Sequence, residues 1–317
     1  MFKKIVRYIL EKTPVSHLVQ LSKSIVLPGF DGIPLYDVAR FFLRGLQKGA
    51  INTRASSLAF RFFLALFPGI IFLFTLIPYI PIDNFHEELL LQLQTILPEE
   101  AFNLSKATID DLLNQERTGL LSFGFILTIY FATNGISAMI AAFDQSYLTT
   151  ESRSILMQRL ISVLLIFILF LLVVTSVVLI VFSEIIIDAL VDYNVLSGGW
   201  DLIMLQLGKW LVILSLIYFS VSFIYFMAPS RNLTKWKFFS AGSSLATVMI
   251  IIVSVGFSFY VNQFGQFNKL YGSIGSLLVL MLWMNFNCII LLIGFELNAS
   301  IMNAGKDSLR LSESQNL

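Results

Sequence analysis

The sequence is poor in charge and in the side chains that carry most enzyme chemistry. Only 13% of its 317 residues are charged, whereas soluble globular domains average about 25%. It contains one cysteine, Cys288, which excludes disulfides and multi-cysteine metal sites within the chain. It contains two histidines, His17 and His86, and no HExxH, GxSxG or phosphate-binding P-loop motif. These absences argue against a hydrolase, a zinc protein and an ATP-driven motor. They predict no catalytic residue, no metal site and no cofactor.

What the sequence does contain is long apolar runs. Hydrophobic residues make up 57% of the chain, and about 20 consecutive apolar residues of helix cross a bilayer core of about 30 Å. Backbone groups that face lipid must be bonded within their own segment, so continuous runs of this length predict helices. The sequence therefore predicts an all-α, polytopic membrane helical bundle with six transmembrane helices. The predicted spans are Leu58–Ile80, Gly119–Ala142, Leu160–Phe182, Leu205–Met227, Phe238–Val261 and Ile274–Ile301.

Basic residues are unevenly distributed between the predicted spans. The leader, the gaps after the second and fourth spans, and the tail are rich in Lys and Arg, whereas the gaps after the first and third spans are acidic. Because basic segments stay in the cytoplasm, both termini are predicted there. The predicted organisation is a cytoplasmic leader at 1–57, a six-span domain at 58–301 with an extracytoplasmic helical loop at 81–118, and a cytoplasmic tail at 302–317. No cleavable signal peptide is expected before the first span.

An amphipathic segment precedes the first span. Pro34–Asn52 has the pattern of a helix, and Arg40, Arg44 and Lys48 fall four residues apart on it, which puts them on one face. Such a basic stripe is typical of a helix that lies on anionic headgroups at the membrane surface. Packing of this helix on the cytoplasmic ends of the spans explains its apolar face equally well, and the two interpretations are compatible. The sequence thus predicts membrane lipids as partners of these three basic residues.

Proline and small residues predict local features of the spans. Pro68-Gly69 lies inside the first span, and a kink or break is expected there because proline removes a backbone donor. Spans five and six are rich in glycine and serine, which predicts close packing of these two helices. Two further amphipathic helices, Asn84–Leu97 and Glu99–Asn114, are expected in the first extracytoplasmic loop.

A few ionisable and polar side chains fall inside the predicted spans. Arg61 and Glu296 are each about one turn from the cytoplasmic end of their span, and Asn134 and Asn285 also lie within spans. Because such groups are costly in lipid, each is a functional candidate. Arg61 and Glu296 could form a structural pair, line a polar path, or extend to the headgroups, and each asparagine could equally be a bond between helices. A polar path or gate would combine all four side chains on facing helices.

Short motifs lie in order along the chain between Leu35 and Met302. They are Arg54–Phe60, Leu64–Pro68, Thr133–Met139, Ala228–Arg231, Tyr271–Gly275 and Gly294–Ala299. Together they resemble the YihY/BrkB family of bacterial inner-membrane proteins. The resemblance implies a six-span protein of the bacterial cytoplasmic membrane, and some members are candidate exporters of envelope lipids or lipopolysaccharide. Members have also carried a ribonuclease label, for which this sequence offers no set of hydrolytic metal ligands.

Three functions are open at the level of the sequence. The first is transport of a lipid or other envelope-related solute, with the substrate class implied by the resemblance. The second is a non-transporting membrane scaffold or regulator, in which the basic leader and the outer helices bind envelope-assembly proteins. The third, an enzyme that acts on RNA or lipid, is disfavoured by the missing chemistry, and no nucleic-acid partner is predicted.

Overall fold

The computed structural model describes residues 15–48, 50–76, 118–147, 153–192, 200–229, 239–264 and 273–315, and every regular element within them is helical. A 3₁₀ turn, Gln145–Tyr147, follows the fourth α-helix. The α-helices of these residues are α1 (Val15–Ser24), α2 (Leu35–Lys48), α3 (Ile51–Leu76), α4 (Thr118–Asp144), α5 (Ile155–Asp192), α6 (Trp200–Met227), α7 (Ala241–Phe264) and α8 (Ser273–Gln315). The predicted all-α class is confirmed.

Six of the described helices, α3 to α8, are long and apolar enough to cross a membrane, which confirms the six predicted spans. Their bounds differ from the prediction because a helix does not end where an apolar run ends. The first begins at Ile51 rather than Leu58, α5 continues to Asp192, and α8 continues to Gln315. Many bulky apolar side chains on the spans are exposed, as expected of surfaces that face lipid chains.

One compact unit comprises residues 1–55, 139–253 and 289–317. Within it the turn between α1 and α2 contains Gly29 and Gly32 at φ of 85° and 81°, a backbone conformation that favours glycine. The turn places Phe30 against Val38 of α2 and Ile301 of α8. The predicted amphipathic segment is therefore confirmed as a helix, and its apolar face packs on the last span.

Helices α7 and α8 approach very closely within this unit. A Cβ atom on Gly242 would lie 2.1 Å from the carbonyl oxygen of Gly294, and one on Gly294 would lie 2.7 Å from the carbonyl oxygen of Gly242. Both distances are below any ordinary carbon contact, so neither position has room for a larger residue. Tyr225 of α6 joins the contact, since its hydroxyl donates to the carbonyl of Leu291 at 2.7 Å. The close packing predicted for spans five and six is confirmed.

Three pairs of spanning helices in this unit, α3–α4, α5–α6 and α7–α8, have a polar cap at one end. The guanidinium of Arg54, near the start of α3, donates to the carbonyl of Ala142 near the end of α4 at 2.6 Å. Arg153, just before α5, donates to the last carbonyl of α6 at 3.1 Å. Asn298 of α8 accepts from the backbone N–H of Gly242, near the start of α7, at 2.8 Å. Because backbone groups at helix ends lack intrahelical partners, these side chains satisfy groups that would otherwise be unpaired.

The second compact unit comprises residues 56–138 and 254–288. Its helices also meet at a glycine, since a Cβ atom on Gly135 of α4 would lie 2.9 Å from the ring of Phe62. Helix α3 continues through Pro68 without interruption. The structure therefore contains no break at Pro68-Gly69, and a kink within the continuous helix stays a prediction. Proline is tolerated in spanning helices where neighbours satisfy the freed carbonyl group.

Some predicted features lie outside the described residues. These are the two amphipathic helices of the first extracytoplasmic loop, Asn84–Leu97 and Glu99–Asn114, together with His86. The division of the chain into leader, six-span domain and tail stays a prediction.

Candidate functional site

A buried pair of opposite charges lies in the first compact unit. Arg54 of α3 is 8% exposed and Glu296 of α8 is 4% exposed. The two charges attract each other. A lone charge buried to this extent would be strongly unfavourable. Each of these two side chains therefore compensates part of the cost of burying the other.

Ser146 links the two charges. It lies in the 3₁₀ turn after α4, where its hydroxyl oxygen accepts from Arg54 Nη1 at 3.4 Å and its hydroxyl group hydrogen-bonds the Glu296 side chain. An ionised carboxylate can only accept hydrogen bonds, so the serine O–H donates a hydrogen bond to Glu296. The same Arg54 nitrogen donates to the Ala142 carbonyl. Arg54 thus caps α4 and also orients the turn that presents Ser146 to Glu296.

The guanidinium of Arg54 is not fully hydrogen-bonded. Its Nε and Nη2 atoms are buried and have no hydrogen-bond partner in the structure. A buried unpaired donor costs about 1–3 kcal/mol. Attraction to the Glu296 charge offsets part of that cost, because Coulomb interactions strengthen where water is excluded. The pair is therefore held by electrostatic attraction and by Ser146, and removal of either charge would leave the other uncompensated.

Helix α2 covers the Glu296 carboxylate at Gly45. A Cβ atom at this position would lie 1.8 Å from Glu296 Oε1 and 2.5 Å from its Cδ. Only glycine lets the α2 backbone come this close. On the other side of α2, Arg40 and Arg44 are exposed. The side chain of Lys48, the third residue of the predicted basic stripe, lies outside what the structure describes.

Aromatic rings surround the segment of α8 that carries Glu296. Phe295 stacks on Phe143 of α4 with ring centroids 4.0 Å apart and an interplanar angle of 13°. Tyr225 meets both rings edge-on, at 5.6 Å from Phe295 and 5.8 Å from Phe143. Phe143 and Phe295 are almost completely buried. Rigid rings beside Glu296 restrict the positions available to this segment of α8 and so help to hold the carboxylate in place.

A different polar surface lies in the second compact unit, on the face of α3 that carries Ser56, Ser57 and Arg61. All three are exposed, whereas Leu58 and Ala59 on the opposite face are buried. The Ser56 hydroxyl donates to Oδ1 of an asparagine of α8, Asn285, at 3.2 Å. We refer to Ser56, Ser57, Arg61 and Asn285 as the polar face. Its three members on α3 are exposed and Asn285 is half-buried, although both helices belong to apolar spans.

Of the four residues that the sequence suggested for a polar path or gate, three belong to the second compact unit and one, Glu296, belongs to the first, so their combination in one path stays a prediction. Asn285 is hydrogen-bonded to α3, and Arg61 is exposed on that helix about 15 Å along its axis from Ile51. Asn134 is half-buried in α4 of the same unit. Glu296 belongs to the first unit, where the cation that interacts with it is Arg54. Arg61 thus lies farther into its helix than predicted, because α3 begins seven residues before the predicted span.

Sequence reasoning missed Arg54, Ser146, Gly45 and Ser56 as members of these clusters. Arg54 and Ser56 precede the first long apolar run, so the sequence places both in the leader. Ser146 lies in a gap between spans, and Gly45 is an inconspicuous glycine within an amphipathic helix. The sequence signal for Arg54 and Ser56 was the motif Arg54-Ala55-Ser56-Ser57, which places a basic residue and two serines close together just before the first apolar run.

No group of three or more His, Cys, Asp or Glu side chains that could hold a metal ion occurs among the residues that the structure describes. The clusters described above contain neither a histidine nor a cysteine. Their chemistry is that of a guanidinium, a carboxylate, an amide and hydroxyl groups, which bind anions and polar headgroups or stabilise helix contacts.

Comparison with known proteins decides the family. The family model described as Virulence factor BrkB matches residues 42–316. The chain belongs to the BrkB family. It is 32% identical over 250 residues to the "Putative ribonuclease-like protein YfkH" of Bacillus subtilis, which covers 78% of this chain and 89% of that protein. It is 28% identical over 112 residues to a "UPF0761 membrane protein" of Vibrio campbellii, which covers 35% of this chain and 34% of that protein.

The resemblance stated from the motifs is thereby confirmed, and the chain is a membrane protein of this family. No solved structure matches it. The words "ribonuclease-like" describe the Bacillus relative by its printed name. In this chain the described polar residues that cluster are two arginines, a glutamate, serines and an asparagine, and none of the clusters has the composition of a hydrolytic metal centre.

Proposed function

We propose that this BrkB-family protein transports a lipid or another envelope-related solute across the bacterial cytoplasmic membrane. The observation that carries the proposal is the polar face. Its members Ser56, Ser57 and Arg61 are exposed on a spanning helix, and Asn285 of a second spanning helix is hydrogen-bonded to it. Polar groups placed in this way on apolar helices are typical of a route for a polar solute or headgroup.

Two other hydroxyl groups on the spans behave differently. The Thr175 hydroxyl donates to the Leu171 carbonyl of its own helix at 2.8 Å, and the Ser215 hydroxyl donates to the Leu211 carbonyl of its own helix at 2.7 Å. This bond to the preceding turn satisfies a hydroxyl group that faces lipid. Ser56 instead donates to a side chain on another helix. This difference supports a polar environment at Ser56, one turn before the exposed Phe60 on the same face of α3.

Arg61 strengthens the same argument. An arginine at the centre of a spanning helix costs at least about 2.5–3.5 kcal/mol when it faces lipid chains. Arg61 is exposed near the middle of the segment Ile51–Phe72. The exposure of Arg61 costs little free energy if the polar face contacts water or phosphate headgroups. A guanidinium binds phosphate oxygens through two parallel hydrogen bonds, which suits a phospholipid or another phosphate-bearing solute.

The orientation is part of the proposal. The basic leader, gaps and tail support cytoplasmic termini under the positive-inside rule. Reporter domains fused to the two ends test it, since a reporter that is active only in the cytoplasm should work at both positions. A periplasm-specific reporter that works at either end would contradict it.

Reconstitution into liposomes tests transport. We expect the protein to move a labelled phospholipid between leaflets faster than liposomes without protein do. Replacing Arg61 with glutamine or Asn285 with alanine should slow this movement by about tenfold, the effect of a loss of about 1.4 kcal/mol in the transition state. Thr175→Val is the matched control, because Thr175 is an exposed hydroxyl-bearing residue of a span that bonds within its own helix. It should leave the rate unchanged.

Two outcomes would contradict transport. Movement no faster than in protein-free liposomes, for phospholipids and for soluble phosphate esters, would favour the scaffold or regulator. Equal rates for the control and for the two polar-face variants would show that movement occurs elsewhere than at Arg61 and Asn285.

A further inference from the structure

Helix α2 presents two opposite faces with different chemistry. One face carries Val38 and Gly45, and these pack on α8, where Gly45 lies against Glu296. The other carries Arg40, Leu43 and Arg44, all exposed, with Leu43 at 57%. At about 100° per residue, Arg40 points roughly away from both Val38 and Gly45. The backbone of α2 therefore lies between the buried carboxylate and the exposed side chains of Arg40, Leu43 and Arg44, which we call the basic surface.

The basic surface has the composition of a membrane-binding surface. Leu43 lies one turn from Arg40 and next to Arg44, so an exposed apolar side chain lies between two exposed cations. The preceding helix, α1, also combines an exposed apolar and an exposed basic side chain. Leu21 is 58% exposed, and Lys23 is exposed with its ammonium group over the Tyr36 ring of α2. In water an exposed leucine beside arginines gains nothing, whereas at a bilayer surface it enters the headgroup region while the arginines meet phosphate groups.

We propose that α2 is a lipid-dependent cover of Glu296. Arg40, Leu43 and Arg44 bind the phosphate headgroups of an anionic bilayer surface, and this binding keeps Gly45 seated on the carboxylate. The occupant is anionic phospholipid, because the exposed side chains are cationic and apolar together, and because the helix directly precedes a membrane span. The inference does not depend on transport, since it concerns the first compact unit and a surface outside the polar face.

The first test measures where Leu43 lies. In a Cys288→Ala chain, which has no other cysteine, Leu43→Cys carries a nitroxide spin label. The purified protein is placed in nanodiscs of phosphatidylcholine alone or with phosphatidylglycerol. We expect the label to collide more with oxygen and less with a water-soluble nickel complex when phosphatidylglycerol is present. A label at Ile126, an exposed residue of a span, is the control and should report lipid in both nanodiscs.

Charge variants identify the cause. Each basic residue at an anionic surface strengthens attachment about fivefold, so Arg40→Gln with Arg44→Gln should weaken it about 30-fold and return the label to water. The pair Arg40→Lys and Arg44→Lys should retain attachment. A label that reports water in both kinds of nanodisc would overturn the proposal. A label that stays protected in the glutamine pair would also overturn it, because something other than anionic lipid would then cover the helix.

The second test measures the cover itself. A water-soluble carbodiimide modifies accessible carboxyl groups, and peptide mass spectrometry gives the extent of modification at Glu296. We expect slower modification in nanodiscs that contain phosphatidylglycerol, and loss of this difference in the glutamine pair. A modification rate that is the same in both lipids, while the label at position 43 still moves, would overturn the connection between lipid binding and Glu296.

Discussion

Replacing Gly45 with alanine tests whether α2 is packed directly on Glu296. In an unhindered helix interior this change stabilises by about 0.8–1.0 kcal/mol, because alanine is the better helix former. Here the added carbon would lie 1.8 Å from Glu296 Oε1 and 2.5 Å from its Cδ. Either the carboxylate must leave Ser146 and Arg54, or α2 must move away from α8. The first costs a hydrogen bond to a charged group, about 1.5–3 kcal/mol, and the second costs about 1–3 kcal/mol of packing.

The net effect of Gly45→Ala is therefore a loss of about 1–2 kcal/mol after the gain in helix propensity is subtracted. The measurement is the melting temperature of the purified protein in detergent, followed by size-exclusion chromatography with fluorescence detection. Two helical glycines, Gly208 and Gly256, serve as controls, because a Cβ atom on either meets nothing within 4 Å. Alanine at those positions should leave the melting temperature unchanged or raise it.

A double-mutant cycle separates the carboxylate clash from other effects. Glu296→Ala removes the group that the new methyl would meet, so Gly45→Ala should cost clearly less in that background. An increase in melting temperature with Gly45→Ala alone, of the size seen for the two controls, would refute the close contact. The same loss in both backgrounds would show that the damage arises away from Glu296.

Three further changes follow from the first compact unit. Tyr225→Phe removes the hydrogen bond to the Leu291 carbonyl and should lower stability by about 0.5–1.5 kcal/mol in the same melting assay, and an unchanged melting temperature would contradict the bond. Gly294→Ala brings a carbon within 2.7 Å of the Gly242 carbonyl oxygen, where backbone must move, so it should destabilise more than Gly45→Ala does. Arg153→Gln weakens the cap on α6 and should cost about 0.3–1 kcal/mol at low salt and less at high salt, whereas a salt-independent loss would argue against a charge effect.

The number and type of the spanning helices were predictable because bilayer thickness sets the length of an apolar run. The close packing of α7 and α8 was also predictable, because small residues such as Gly242 and Gly294 let the backbones of two helices approach closely in lipid. The start of α3 was not, because residues 51–57 are mostly polar and a count of apolar residues begins at Leu58. The helix extends into this polar segment because backbone hydrogen bonding continues whatever the side chains are.

The contacts of the buried Arg54 and Glu296 side chains could not be predicted from the sequence. Arg54 meets Ala142 across 88 positions of chain, and nothing in the local pattern of either residue indicates the other. Depth alone suggested Arg61 as the partner of Glu296, because both lay about one turn from the same side of the membrane. Within the first compact unit Arg54 interacts with Glu296, because the earlier start of α3 brings a second arginine into the helix. A pair of Arg61 with Glu296 stays a prediction. Ser56 could have been considered with Asn285 only once both were known to face the same space.

Two of the three capped helix pairs suggest why basic residues would collect on one side of this protein. In the proposed orientation α4 and α6 end at the cytoplasmic side, so their unpaired carbonyl groups and negative dipole ends lie there. Arg54 caps the first of these ends and Arg153 the second. Burial lowers the pKa of Arg153, and the nearby negative charge of Asp144 opposes that shift. The charge asymmetry on which the proposed orientation rests is thus carried partly by residues with a local bonding role. A lysine in place of Arg153 would keep the charge that sets orientation but offers different hydrogen-bonding geometry. It should therefore preserve the orientation and lose stability, and an inverted topology in that variant would contradict this account.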